Sequence, residues 1–99
     1  MAITVVNTSG SPIVVTGTTD TSEKVIEPGA LVAVFVKFIY WYNPTTAGHL
    51  LSLKTKDGKT IIPLRCENAN ESQLIPLWSS FQNIYCDDLD SGTLYIYTR

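Results

Sequence analysis

The sequence predicts an all-β protein, an antiparallel β-sandwich of about eight or nine short strands in a single domain over residues 1–99. Three observations predict it. Runs rich in Val, Ile, Leu, Thr, Tyr and Phe recur along the chain, each closed by turn residues, as in sandwiches and barrels. No stretch carries the 3.6-residue apolar period of an amphipathic helix. Twelve Thr and eight Ser keep the surface polar, and branched Thr also packs well on a pleated sheet.

The elements follow in order. Ile3 to Val6 is a first strand, ended by Asn7-Thr8-Ser9-Gly10. Pro12 to Thr16 is a second, ended by Gly17. Glu23 to Ile26 is a third. Glu27-Pro28-Gly29-Ala30 closes it as a type II turn, with Pro setting φ and Gly supplying φ > 0. Leu31 to Tyr42 is a long strand that stops at Asn43-Pro44, because proline lacks the ladder N–H. After Thr45-Thr46-Ala47-Gly48, His49 to Thr55 is a strand. Asp57-Gly58 joins it to Thr60 to Cys66 as a two-residue hairpin turn. Glu67 to Ser72 is polar and looped, with room for one helical turn. Leu74 to Trp78 and Asn83 to Cys86 are short strands. An acidic turn, Asp87-Asp88-Leu89-Asp90-Ser91, precedes the last strand, Gly92 to Thr98. Strands of this number and spacing point to a jelly-roll-like sandwich.

One element breaks the expected pattern. A sandwich strand has one face in the core and one in water. Leu31 to Tyr42 is apolar on both, with Lys37 its one charged residue. It is also long, against a typical length of about 5–6 residues. Three coverings for the second face are open. One is a loop of the same chain. Another is a bend that carries the strand from one sheet to the other. The third is another protein chain. Phe38, Tyr40, Trp41 and Tyr42 are the residue types that interface cores favour. In Thr93-Leu94-Tyr95-Ile96-Tyr97, Leu94 and Ile96 share one face while Tyr95 and Tyr97 share the other. These six aromatics, Phe38, Tyr40, Trp41, Tyr42, Tyr95 and Tyr97, are the interface candidates.

Composition narrows the function classes. Charged residues are 16% of the chain, against about 25% in an average domain. Net charge is −2, and the seven Lys and Arg are scattered. A nucleic-acid partner needs a basic stripe, so none is expected. Leu31 to Tyr42 is too short for a bilayer span of about 20 residues, so no membrane partner is expected either. MAITVVNTSG has no basic region followed by an apolar one, so the expectation is a chain made in the cytoplasm without a secretory signal. Cys66 and Cys86 then read as two buried thiols.

Catalysis and cofactors find little to work with. His49 is the single histidine, so every Ser-His or Cys-His mechanism depends on it, and it sits at a loop edge. Two cysteines and one histidine without CxxC spacing do not make a zinc site. Asp87, Asp88 and Asp90 lack the ligand spacing of an EF-hand and read as a turn. The glycines fall singly, so no phosphate loop forms. The expectation is no enzyme, no metal and no cofactor. A small carbohydrate- or peptide-binding module is the alternative, with Trp41, Tyr42 and Asn43, or Trp78 beside Ser79-Ser80, as its platform. In so small a domain both tryptophans read first as core anchors.

Three segments carry a resemblance: Trp41-Tyr42-Asn43-Pro44 with Ala47-Gly48; the hairpin from Leu51 to Ile61; and Leu89-Asp90-Ser91-Gly92-Thr93-Leu94-Tyr95-Ile96-Tyr97. Together they resemble small tailed-bacteriophage virion proteins of the capsid decoration, cement or minor head type. Such proteins often end near a strand of the SGTLYIY kind. The resemblance runs from Ile39 to the C-terminus. It implies a bacteriophage virion structural protein that binds and stabilises the head shell. It also implies a homo-oligomer, with a trimer favoured, whose other partner is the major capsid protein or another virion protein. It carries no catalytic residues.

Overall fold

The strand-forming runs pair antiparallel throughout. The computed structural model describes residues 3–6, 12–18, 23–26, 34–55, 58–81 and 84–98. Its strands are β1 (Ile3–Val6), β2 (Ile13–Gly17), β3 (Glu23–Ile26), β4 (Val34–Tyr42), β5 (Leu50–Lys54), β6 (Thr60–Arg65), β7 (Gln73–Phe81), β8 (Ile84–Leu89) and β9 (Thr93–Thr98). The predicted turns at Asn7–Gly10 and Glu27–Ala30, the strand start at Leu31–Ala33, and Asp57 and Asn83 lie outside the described residues. Among the described residues there are nine strands and no helix, as the sequence predicts.

The strands form two sheets, β1-β2-β9-β4-β7 and β3-β8-β5-β6. Four pairs explain the order: β2 with β9, β3 with β8, β4 with β7, and β5 with β6. These are the rungs of one long antiparallel ribbon folded at the β5–β6 hairpin. Wrapping that ribbon brings β4 beside β9 and β5 beside β8. The result is a jelly roll, with β1 added at one edge.

The two inner faces make the core. Ile13, Val15, Val36, Ile39, Trp41, Leu94 and Ile96 come from the five-stranded sheet. Val25, Leu51, Leu53, Ile84, Cys86 and Leu89 come from the other, and Cys66 follows it. Each Leu, Ile or Val side chain removed from water contributes roughly 1.5–3 kcal/mol before entropy costs. Cys66 and Cys86 are buried free thiols, as predicted. The Cys66 thiol donates to Thr46 O at 3.0 Å.

Three boundaries differ from the prediction, each for a physical reason. The β5–β6 hairpin closes between Thr55 and Lys59, whose N–H and C=O bond at 2.8 Å. Gly58 donates to Thr55 O and holds φ 87°. The loop therefore has three residues rather than two, with glycine in the left-handed position. The supposed acidic turn is mostly strand. Asp88 pairs with Ser52 of β5, and Asp87 Oδ1 meets Lys54 Nζ at 3.0 Å. Long-range pairing here overrides the weak strand propensity of Asp. β7 also runs on past Trp78 to Phe81, because β4 continues beside it.

Candidate interaction face

The alternation puzzle of β4 resolves at Lys37. Val36 is buried, the register shifts between Val36 and Phe38, and the next buried residues are Ile39 and Trp41. A β-bulge therefore changes which residues face inward. The strand does not cross to the other sheet; it pairs with β7 and β9 from end to end. Phe35, Phe38, Tyr40 and Tyr42 then share the outer face. Trp41 belongs to the core instead. It is wholly buried, and its Nε1 donates to Ser91 O at 2.8 Å.

Cross-strand neighbours extend this face. Directly paired residues on adjacent strands point the same way. Phe38 pairs with Tyr97 and Tyr40 with Tyr95 on β9, while Phe38 pairs with Pro76 and Tyr40 with Leu74 on β7. The rings lean on each other: Phe38 and Tyr97 lie 4.5 Å apart at 28°, and Tyr40 and Tyr95 lie 6.3 Å apart at 29°. Tyr42 stands 6.0 Å from Tyr40 and 6.5 Å from Tyr95. Each ring pair contributes about 0.5–1.5 kcal/mol beyond its area. Of the six predicted interface residues, five thus gather on one outer face, and Trp41 sits beneath it.

Most of the exposed apolar bulk lies on this sheet. Trp78 is 61% exposed, Leu74 55%, Val6 49% and Tyr42 48%. The five strands carry one charged residue, Lys37. The other four strands carry Glu23, Lys24, Lys54, Arg65, Asp87 and Asp88. The sandwich is therefore two-sided, with a charged sheet and an aromatic one whose strands carry Lys37 alone.

Trp78 was not among the six interface candidates, because a tryptophan in a short strand reads as core. It stands on the edge strand β7 at φ 49°. Leu77 and Trp78 together lie across from Lys37 alone, since Pro76 pairs with Phe38 and Ser79 with Val36. A left-handed φ on a bulky residue is an outlier that costs of order 1–3 kcal/mol. Its ring tilts against Phe35, with centroids 6.2 Å apart.

Asn43, His49 and Asp90 lie at one end of the sandwich, where three loops are tied together. His49 Nδ1 is 2.7 Å from Ser91 Oγ, which also accepts the Thr45 N–H at 2.9 Å. Asp90 Oδ2 accepts the Leu50 N–H, and Pro44 O accepts the Asn70 N–H. Asn43 donates its N–H to Ser72 Oγ. The Ser-His pair and the Asp90 carboxylate thus join the β4–β5 loop to the loop before β9. Among the described residues, no three His, Cys, Asp or Glu side chains converge as a metal site would need.

Sugar platforms present ring faces. Here Phe38 and Tyr97 stack on each other, which covers one face of each ring, and Tyr40 lies within 29° of parallel to Tyr95. Trp41 lies on the opposite side of the strand from Tyr42 and cannot join it in a platform. No family model, curated protein or solved structure matches the chain.

Proposed function

We propose that this chain is a structural assembly protein that acts through non-covalent protein contacts, with the outer face of its five-stranded sheet as the contact surface. The particular role we propose is a bacteriophage virion component, a capsid decoration or cement protein working as a homo-oligomer. The observation that carries the reading is the aromatic face, whose strands carry one charged residue, Lys37. Exposed apolar surface beyond a few hundred Å² marks an interaction site. Tyr, Trp and Phe without charges are the composition of an interface core. The jelly roll agrees, since capsid proteins use it, though lectins and cupins do too. The virion assignment rests on the resemblance of the Ile39-to-C-terminus segment.

The mechanism is mechanical. A copy bound across a seam between shell subunits adds contacts that expansion must break. A standard interface removes about 1,600 Å² from water, of which roughly 60% is apolar, a gross term near 25 kcal/mol at ~25 cal/mol per Å² of apolar surface. Lost rotational freedom and side-chain ordering offset most of it. A sugar-binding role centred on Trp41, Tyr42 and Asn43 is the weaker reading, because Trp41 is inside the core.

Size-exclusion chromatography with light scattering over a concentration series tests the assembly reading. The expected result is an oligomer, or reversible mass action toward one. A 10.9 kDa species at every concentration overturns it. Quantitative mass spectrometry of purified particles of the encoding virus tests the virion role. Many copies per particle are expected, and absence from particles removes that role alone.

A further inference from the structure

We infer that Trp78 is the anchor by which the outer face of the five-stranded sheet seats on a second copy of this chain. The inference rests on the assembly reading and names its central residue and partner. Trp78 stands in a bulge at φ 49°, where glycine or asparagine would sit with less strain. Its ring is steadied on one side by Phe35 and open on the other. Within the described chain, that single ring contact is a poor return for a strained backbone on an exposed edge strand. Contacts from outside the chain supply the missing return. Tryptophan is also among the residues most enriched at interface hot spots.

The distribution of charge names the partner. Two copies meeting by this face bring no like charges together beyond Lys37, and both charged sheets stay in water. A partner selected by charge would find little here to read. Five strands about 4.8 Å apart and roughly 20 Å long span near 500 Å² in projection, below the roughly 800 Å² per side of a standard interface and in keeping with a small, reversible contact between copies. The partner comes onto the face and not onto the β7 edge, because Pro76 interrupts the ladder that a docking strand would need.

The test uses Trp78→Asn, which keeps a residue that tolerates the left-handed backbone, with Trp78→Gly as a second variant. Sedimentation equilibrium reads association, and thermal unfolding at the lowest concentration reads the fold. The expected result is a dissociation constant raised about thirtyfold or more, the scale of a hot spot, with a melting temperature unchanged or higher. Two results overturn the inference while the assembly reading stands. One is association within about twofold of wild type, well below the hot-spot scale. The other is a lower melting temperature in both variants, which makes Trp78 a fold residue. A wild-type chain that is monomeric throughout removes the assembly reading itself. Trp78 emission that responds to cellohexaose or chitohexaose, and not to protein concentration, also overturns the inference and assigns the face to sugars.

Discussion

At Gly92 a Cβ would stand 2.7 Å from Tyr42 O, 3.0 Å from Pro44 N and 3.0 Å from Trp41 Nε1. Two of these are backbone atoms, and the third is the indole nitrogen held by Ser91 O. The backbone is also left-handed, at φ 81°. Gly92→Ala therefore meets both a clash and an unfavourable backbone. The expected loss is about 2–4 kcal/mol, read by urea denaturation. A loss under about 0.5 kcal/mol, the range of ordinary surface substitutions, would mean the loop before β9 shifts freely and does not lock Trp41. The sequence offered Trp41 both as a core anchor and as an interface candidate, and its full burial keeps only the first. The strained backbone of Trp78 was not legible, because no sequence pattern announces a left-handed φ on a tryptophan.

Among the elements, β4 shows why pattern reading stopped where it did. Strict alternation placed Trp41 with Phe35 and Lys37 on one face and Tyr40 with Val36 on the other. The bulge at Lys37 exchanges the two sets for everything after it, and a bulge is a tertiary feature that no neighbouring residue signals. Strand existence was legible almost everywhere, since turn chemistry punctuates the chain. Strand ends were not, because pairing with a long neighbour extends β7, and pairing with β5 carries β8 through Asp87 and Asp88. The bulge makes a sharp prediction. Lys37→Ala leaves the extra residue in place, so its stability cost should stay within about 1 kcal/mol. Deleting Lys37 removes the extra residue and leaves Val36, Phe38, Ile39, Tyr40 and Trp41 in plain alternation with their faces kept, so the dispersed amide spectrum of the folded chain should survive. Inserting one alanine between Phe38 and Ile39 would instead turn Ile39 and Trp41 outward and Tyr40 and Tyr42 inward, and should abolish that spectrum. A well-folded insertion variant would mean the face assignment of β4 tolerates either register.

For the whole molecule, the jelly-roll wrapping puts six of the seven charged strand residues in one sheet and leaves Lys37 alone in the other. The sequence shows few charges overall, but their segregation appears only once β9 lies between β2 and β4. This segregation makes the driving force of assembly measurable through salt. At ~0.1 M ionic strength the Debye length is about 10 Å, so contacts between exposed charges weaken steeply as salt rises. Burial of apolar surface does not, and sulfate strengthens it. If the aromatic face is the contact, the dissociation constant should stay within about threefold between roughly 0.05 and 0.5 M sodium chloride, and fall in sodium sulfate. An affinity that drops tenfold or more over that chloride range would place the contact on the sheet carrying Lys54, Arg65 and Asp87. The Lys54–Asp87 pair bridges β5 and β8 on that sheet, so charge-driven association there would compete with a cross-strand tie of the fold itself. Association and folding would then respond to salt together, whereas contact through the aromatic face lets them respond separately.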